Sequence, residues 1–354
     1  IGKRKVAAES ATSSGESRAL SLTRALASPF GILIVFPAIV LSVGLFLTLV
    51  GQRALQVSNR ALGQHRLAEQ AQLVASHLHS SLQAADPMLD RLSDFALTQG
   101  PDKPLEPVAA ALLDLMQGRA GVAYVSISFP DGTFEGAYLE DGRSLFQDSR
   151  VGIEGTRVRR YEYRGHDALT LRSEETTRYD PRLRDFYLQA AAARTRVWTK
   201  PYPFYGNRHT GITRAAPVYL QQGSERLLHA VLTVDFDVNE LSRLLREGEL
   251  ADMRTLLFNK DGTLLAYPQG EPRIAALPLS RERALSYKDL RDPTLTAFFA
   301  QLSQKPAQDR QLLSFEVGGA QHLAALSRVS HDPLLDWTVA YLVPERVFFE
   351  SLHS

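Results

Sequence analysis

Three stretches of this chain hold residue types that do chemistry. Asp235-Phe236-Asp237-Val238-Asn239 begins like a calcium loop, but Glu240 stands where the turn needs Gly and Arg246 where a bidentate Glu belongs. His77 and His79 are two apart in a helical pattern and point to different faces, so they make no metal pair. The third stretch, Tyr179 to Tyr202, sets Arg184 among tyrosines. Taken alone it has plain readings: Tyr179-Asp180-Pro181 as a turn and helix start, Phe186, Tyr187 and Trp198 as core, and Arg184 in an internal ion pair with Asp185 or Asp235. The sequence has no Walker A loop, G-x-S-x-G elbow, H-E-x-x-H or dinucleotide Gly-rich turn, so those enzyme classes lose support. A hydrolase assembled from dispersed acids stays open.

The elements that position these residues follow from length and pattern. A chain of 354 residues is too long for one ordinary core and points to two units with appendages. Forty basic against 39 acidic residues argue against a nucleic-acid or polyanion partner. The absence of cysteine removes disulfides and thiolate metal sites.

The run Pro29 to Val50 carries no charge and is long enough to cross a bilayer core of roughly 30 Å. Gly51-Gln52-Arg53 follows it in place of a small-x-small cleavage site, which favours an anchor over a cleaved signal. Lys3, Arg4, Lys5, Arg18 and Arg24 precede it, so residues 1–28 read as a flexible cytoplasmic tail and everything after Gly51 as facing outward. Pro37 inside the span reads as a tolerated kink.

From Gln52 to Gln99 apolar residues recur at helical spacing, interrupted only by Pro87, which predicts a stalk helix able to pack on a domain or to pair with a second copy. Leu105 to Met116 predicts a second helix. The period then changes to two, and Tyr124–Tyr138 and Arg254–Tyr267 repeat one figure: strand, Asp-Gly-Thr turn, strand ending Ala-Tyr. Between them the pattern predicts a helix from Pro181 to Arg194, strands near Val197, over Gly211–Tyr219 and over Leu227–Asp235, and a helix from Asn239 to Leu250. Strands are predicted again over Leu312–Val317, Gln321–Val329 and Trp337–Val343.

The segment YDPRLRDFYLQAAAARTRVWTKPY (Tyr179 to Tyr202), the strand ending APVY at Tyr219, and VDFDVNELS from Val234 resemble a double Cache domain. The resemblance implies an α+β architecture: an N-terminal transmembrane helix and long stalk helix, then two PAS-like antiparallel-sheet modules. It divides the chain into a tail (1–28), a span (29–50), a stalk (51–100), a membrane-distal ligand-binding module (101–250) and a membrane-proximal module (251–354). The amino-acid-binding subset has Tyr, Arg five residues on, Trp-Tyr, a later Tyr-x-Asp, and an Asp ending a strand. Tyr179, Arg184, Tyr187, Tyr202 and Asp235 occupy matching positions, whereas Phe186 stands for the Trp and Phe204 for the first Asp.

The resemblance thus implies ligand contacts from Tyr179, Arg184, Phe186, Tyr187, Trp198, Tyr202, Phe204 and Asp235. A guanidinium forks onto a carboxylate, tyrosines supply hydroxyls and ring walls, and a carboxylate neutralises an ammonium. Phe204 removes one ammonium partner, so an organic acid or atypical amine is expected as readily as an ordinary amino acid. The implied protein is a sensor on the outer side of a bacterial inner membrane, homodimeric through its stalk. It needs no cofactor, and its kinase, cyclase or chemotaxis output lies outside these residues.

Overall fold

The computed structural model describes residues 29–98, 103–140, 142–165, 168–205, 209–246, 253–277, 283–304, 308–330 and 335–351. Two units separate, residues 1–62 and 63–354. The described part of the first is helical, and its side chains from Phe36 to Leu55 are exposed. Phe36–Leu55 is long and apolar enough to cross a membrane. The expected cytoplasmic tail, residues 1–28, lies outside the described residues.

Helix α1 is Pro29–Gln83 and passes through Pro37 without a break. The expected stalk helix does not continue unbroken to Pro87. It stops at Gln83, and α2 (Ala85–Thr98) begins two residues before the proline. Pro87 has no N–H to give and its ring crowds the carbonyl four residues back, that of Gln83, so the chain must step aside at Ala84.

In the second unit, α1 from Leu67 onward and α2 bury Leu78, Leu82, Leu89 and Leu92 in the main core. Helix α3 (Leu105–Met116), where the pattern places it, adds Val108 and Leu112. These side chains meet one face of a nine-stranded antiparallel sheet. Its strands are β1 (Val122–Ser128), β2 (Phe134–Glu140), β3 (Arg143–Gly152), β4 (Gly155–Tyr163), β5 (Leu169–Thr177), β6 (Val197–Trp198), β7 (Tyr202–Pro203), β8 (Thr210–Gln222) and β9 (Glu225–Asp237). The order is β5-β4-β3-β2-β1-β9-β8-β6, with β7 also on β8. Alternation along a strand decides the faces. Val125, Ile127, Leu232, Val234 and Phe236 join the helices in the core, while Tyr124, Ser126, Thr233 and Asp235 point to the opposite face.

Strands β3 to β5 are not foreseen by the sequence reading, because their exposed face is polar and their other face is not apolar either. Charge pairs stabilise them: Asp148 on β3 is fully buried and accepts from Arg150 on the same strand at 2.8 Å and from Arg159 on β4 at 2.6 Å, and Arg150 also reaches Glu135 on β2 at 3.2 Å.

Helix α4 is Asp185–Ala193 and α5 is Val238–Arg246. A second sheet follows, β10 (Arg254–Asn259), β11 (Leu264–Ala266), β12 (Gln311–Val317), β13 (Ala320–Arg328) and β14 (Trp337–Pro344), in the order β11-β10-β14-β13-β12. One face shares the main core through Leu257, Val339 and Tyr341. The other is filled by Phe258, Phe298, Phe299 and Phe315, with ring centroids 5.1 Å to 5.7 Å apart. The two Asp-Gly-Thr hairpins are both present, as β1–β2 and β10–β11, and their glycines sit at φ 91° and 77°, where a side chain would be strained.

Candidate ligand-binding site

The hairpin repeat shows why the first sheet leaves room where the second carries bulky apolar side chains. Aligned on Asp131-Gly132-Thr133 and Asp261-Gly262-Thr263, Ser126 and Ser128 of β1 correspond to Leu256 and Phe258 of β10. Small polar residues on β1 leave a cavity of ≈ 110 Å³ over the first sheet. That is somewhat smaller than the ~150 Å³ cavity that takes up benzene, but Tyr124, Gln147, Arg160, Phe204 and Tyr205 also line a wider cleft of ≈ 960 Å³.

The floor comes from Tyr124 and Ser126 on β1, Phe134 on β2, Gln147 on β3, Val158 and Arg160 on β4, and Asp235 on β9. The covering side comes from the expected segment: Tyr179, Arg184, Phe186, Tyr202, Phe204 and Tyr205. The single helix expected from Pro181 to Arg194 is divided. Asp180 accepts from the Arg182 N–H at 3.0 Å and caps a short 3-10 turn, Pro181–Leu183. Arg184 is then extended at φ −90°, ψ 149°, before α4 starts. That break aims Arg184 at the cavity.

Arg184 Nη2 donates to the Pro203 carbonyl at 3.2 Å, and its guanidinium lies 5.7 Å from the centroid of the Tyr202 ring. Among the described residues it makes no ion pair, so the internal pairing with Asp185 or Asp235 that the sequence left open is not formed. Asp235 lies buried in the lining, and among the described residues its Oδ1 has no hydrogen-bond partner; burial pushes its carboxyl up to about 7, against a hydrogen bond from Thr213. Among the described residues the Tyr124 hydroxyl is likewise buried without a partner. The Tyr179 and Tyr202 phenols, both buried, feel Arg184 and Asp235 together, and burial raises both above the usual phenol range.

Aromatic rings close the remaining walls. Tyr179 meets Phe134 edge-on at 5.5 Å and Tyr205 at 4.8 Å, and Tyr202 meets Phe204 at 5.2 Å. Gly211 makes room for Phe204, since a Cβ there would stand 2.2 Å from the ring.

Two residues expected in the site stand elsewhere. Trp198 alternates to the helix side of the sheet with Phe236, 5.9 Å between centroids, and under Arg214, which Asp86 of α2 holds at 3.0 Å. Tyr187 is not among the cavity's lining residues and packs in a small cluster with Ala190, Ala215 and Val231, to which Phe186 also belongs. The calcium-like stretch serves as a cap: Asp237 Oδ1 accepts from the N–H groups of Asn239 and Glu240 at 3.0 Å and 2.9 Å. Tyr124, Ser126, Phe134, Gln147, Val158, Arg160 and Tyr205 were not anticipated. For Tyr124 and Ser126 the period-two pattern of β1 held the signal, because the face opposite its apolar residues had to meet something.

No protein-family model matches the chain, and no curated protein sequence does. Solved structures do match. The ligand-binding domain of the Campylobacter jejuni chemoreceptor Tlp3, in complex with 4-methylisoleucine, is 12% identical and superposes with a TM-score of 0.50, covering 82% of this chain and 94% of that one. This chain has the double Cache fold. The ligand-binding domain of Mlp24 with asparagine is 19% identical with a TM-score of 0.49, covering 84% of this chain and 98% of that chain. The Pseudomonas aeruginosa PAO1 amino-acid chemoreceptor PctB, its ligand-binding domain in complex with L-Arg, is 18% identical with a TM-score of 0.47, covering 80% of this chain and 96% of that chain. At 12% identity the fold is what the Tlp3 domain and this chain share. The identity of a ligand has to be argued from the cavity.

Proposed function

We propose that this chain is the outward, ligand-sensing part of a bacterial transmembrane signalling receptor, and that its cavity takes a small carboxylate or amino-acid-like molecule. One observation carries the reading: Arg184, with no ion pair among the described residues, and Asp235, with an unpartnered Oδ1, line the same aromatic-walled cavity. A charge so placed costs stability unless a partner arrives. A carboxylate offers Arg184 a planar partner, and an ammonium offers one to Asp235.

The remaining assignments extend this reading. Residues 29–50 anchor the chain in the inner membrane, 51–100 form the stalk and a homodimer contact, 101–250 are the membrane-distal module that takes the ligand, and 251–354 the membrane-proximal one. Binding shifts the population between two packings of the modules and stalk, and so biases a helix movement toward a cytoplasmic kinase, cyclase or chemotaxis output. The part present here senses and has no catalytic role.

The test is thermal denaturation of the full chain in detergent micelles against amino acids, carboxylates and amines, repeated with Arg184→Ala. Ligand at 100 times its Kd stabilises the native state by about 2.7 kcal/mol. A compound that raises the melting temperature of the wild type but not of the variant supports the reading. If no compound raises it, or the variant responds equally, the reading is wrong.

A further inference from the structure

Cross-strand pairing lays one row of residues along the cavity floor: Ser126 opposite Gly136, Gly136 opposite Gln147, and Gln147 opposite Arg160. Asp235 stands at the β9 end of this floor and Arg160 on β4, four strands away in the sheet order. At about 4.8 Å per strand their backbones are roughly 19 Å apart, and both side chains reach inward to the same cavity. The middle is kept low by Gly136, where a Cβ would come within 2.2 Å of the Tyr124 ring. The cavity therefore has two cationic walls that differ in origin. Arg184 comes from the covering segment, and Arg160 from the sheet.

Arg160 Nη1 donates to Glu175 Oε1 at 2.6 Å, and the Glu175 side chain is 48% exposed, so that partner is free to yield to water. Gln147 donates its amide N–H to Ser149 at 2.9 Å. Both Arg160 and Gln147 also border a wider cleft of ≈ 960 Å³, which Glu140, Glu175, Glu240 and Arg243 line as well. In the inner cavity itself the sheet side offers, among the described residues, Gln147 and Arg160 and no carboxylate besides Asp235, so a side-chain tip that accepts hydrogen bonds finds a partner there and a cationic tip meets a like charge.

We propose that Gln147 and Arg160 form a side-chain subsite, and that the ligand is an amino acid whose side chain ends in a carboxylate or carboxamide. Its α-carboxylate lies on Arg184, its ammonium on Asp235, and its distal acceptor oxygen on Arg160. The inference rests on reading the cavity as an amino-acid site.

The test is calorimetric titration of the full chain in detergent with L-glutamate, L-glutamine, L-leucine and L-lysine. L-glutamate or L-glutamine is expected to bind at least about tenfold more tightly than the other two, the worth of one charge-assisted hydrogen bond. Arg160→Met should weaken L-glutamate and L-glutamine about tenfold relative to L-leucine, so that the preference disappears, and Glu175→Gln, which removes the charged partner of the guanidinium, should tighten L-glutamate several-fold. Tighter binding of L-leucine or L-lysine, with both variants silent, overturns the subsite and leaves the amino-acid reading standing. No binding by any of the four overturns the subsite, and the reading beneath it falls as well if the wider carboxylate panel is also inert.

Discussion

Tyr124 on β1 and Asp235 on β9 face each other directly across the antiparallel ladder, and among the described residues neither the phenol oxygen nor Asp235 Oδ1 has a hydrogen-bond partner. Each such buried group costs about 1–3 kcal/mol. The opposite faces of the same strands are apolar and closely packed, so the cost falls where the cavity is, the place where a partner from outside would repay it.

The pH dependence of binding distinguishes the two ligand classes. With its carboxyl raised to about 7, Asp235 holds a proton below neutrality. An ammonium ligand requires the ionised form, so the proton must leave on binding; affinity should rise as pH increases from 5 toward 7, by up to about tenfold per unit, and level off above. A simple carboxylate gains instead from the protonated acid as a donor and should weaken above pH 7. Titrations between pH 5 and 9 decide between them.

Ser126→Leu installs in the first sheet the residue type that its counterpart Leu256 provides in the second. It should fill the cavity and abolish binding, with overpacking and loss of the 2.6 Å Ser126–Thr233 hydroxyl contact costing about 1–3 kcal/mol. Urea unfolding together with calorimetry checks both halves: a folded variant that binds nothing.

Leu89→Ala, on the helix side of the sheet, should behave in the opposite way. Leu89 is fully buried in the main core, so the truncation should cost about 2–5 kcal/mol of stability, while affinity measured well below the transition stays unchanged. A large loss of affinity would mean that the two faces of the sheet are coupled more tightly than their alternation implies.

Where local pattern and tertiary demand agree, the sequence was legible. The α3 helix, both Asp-Gly-Thr hairpins and the last three strands stand where periodicity puts them. Strands β3 to β5 were hidden because Asp148 is held by Arg150 on its own strand and by Arg159 across the ladder, a pairing that no hydrophobic period reports. Arg184 was visible as a residue but not as a kink, since the division of the helix depends on the Asp180 cap and on Pro181. Trp198 misled for a simpler reason. Its strand is only two residues long, too short for alternation to say which face it takes.

The most direct test of the central claim uses the tightest-binding compound of the panel and its methyl ester, titrated against the wild type and Arg184→Met. The charge-assisted pair between a carboxylate and Arg184 predicts that the ester loses about tenfold or more in affinity on the wild type, and that the variant binds acid and ester alike. Equal binding of acid and ester to the wild type would contradict the account, because the Arg184 guanidinium would then have no part in recognition.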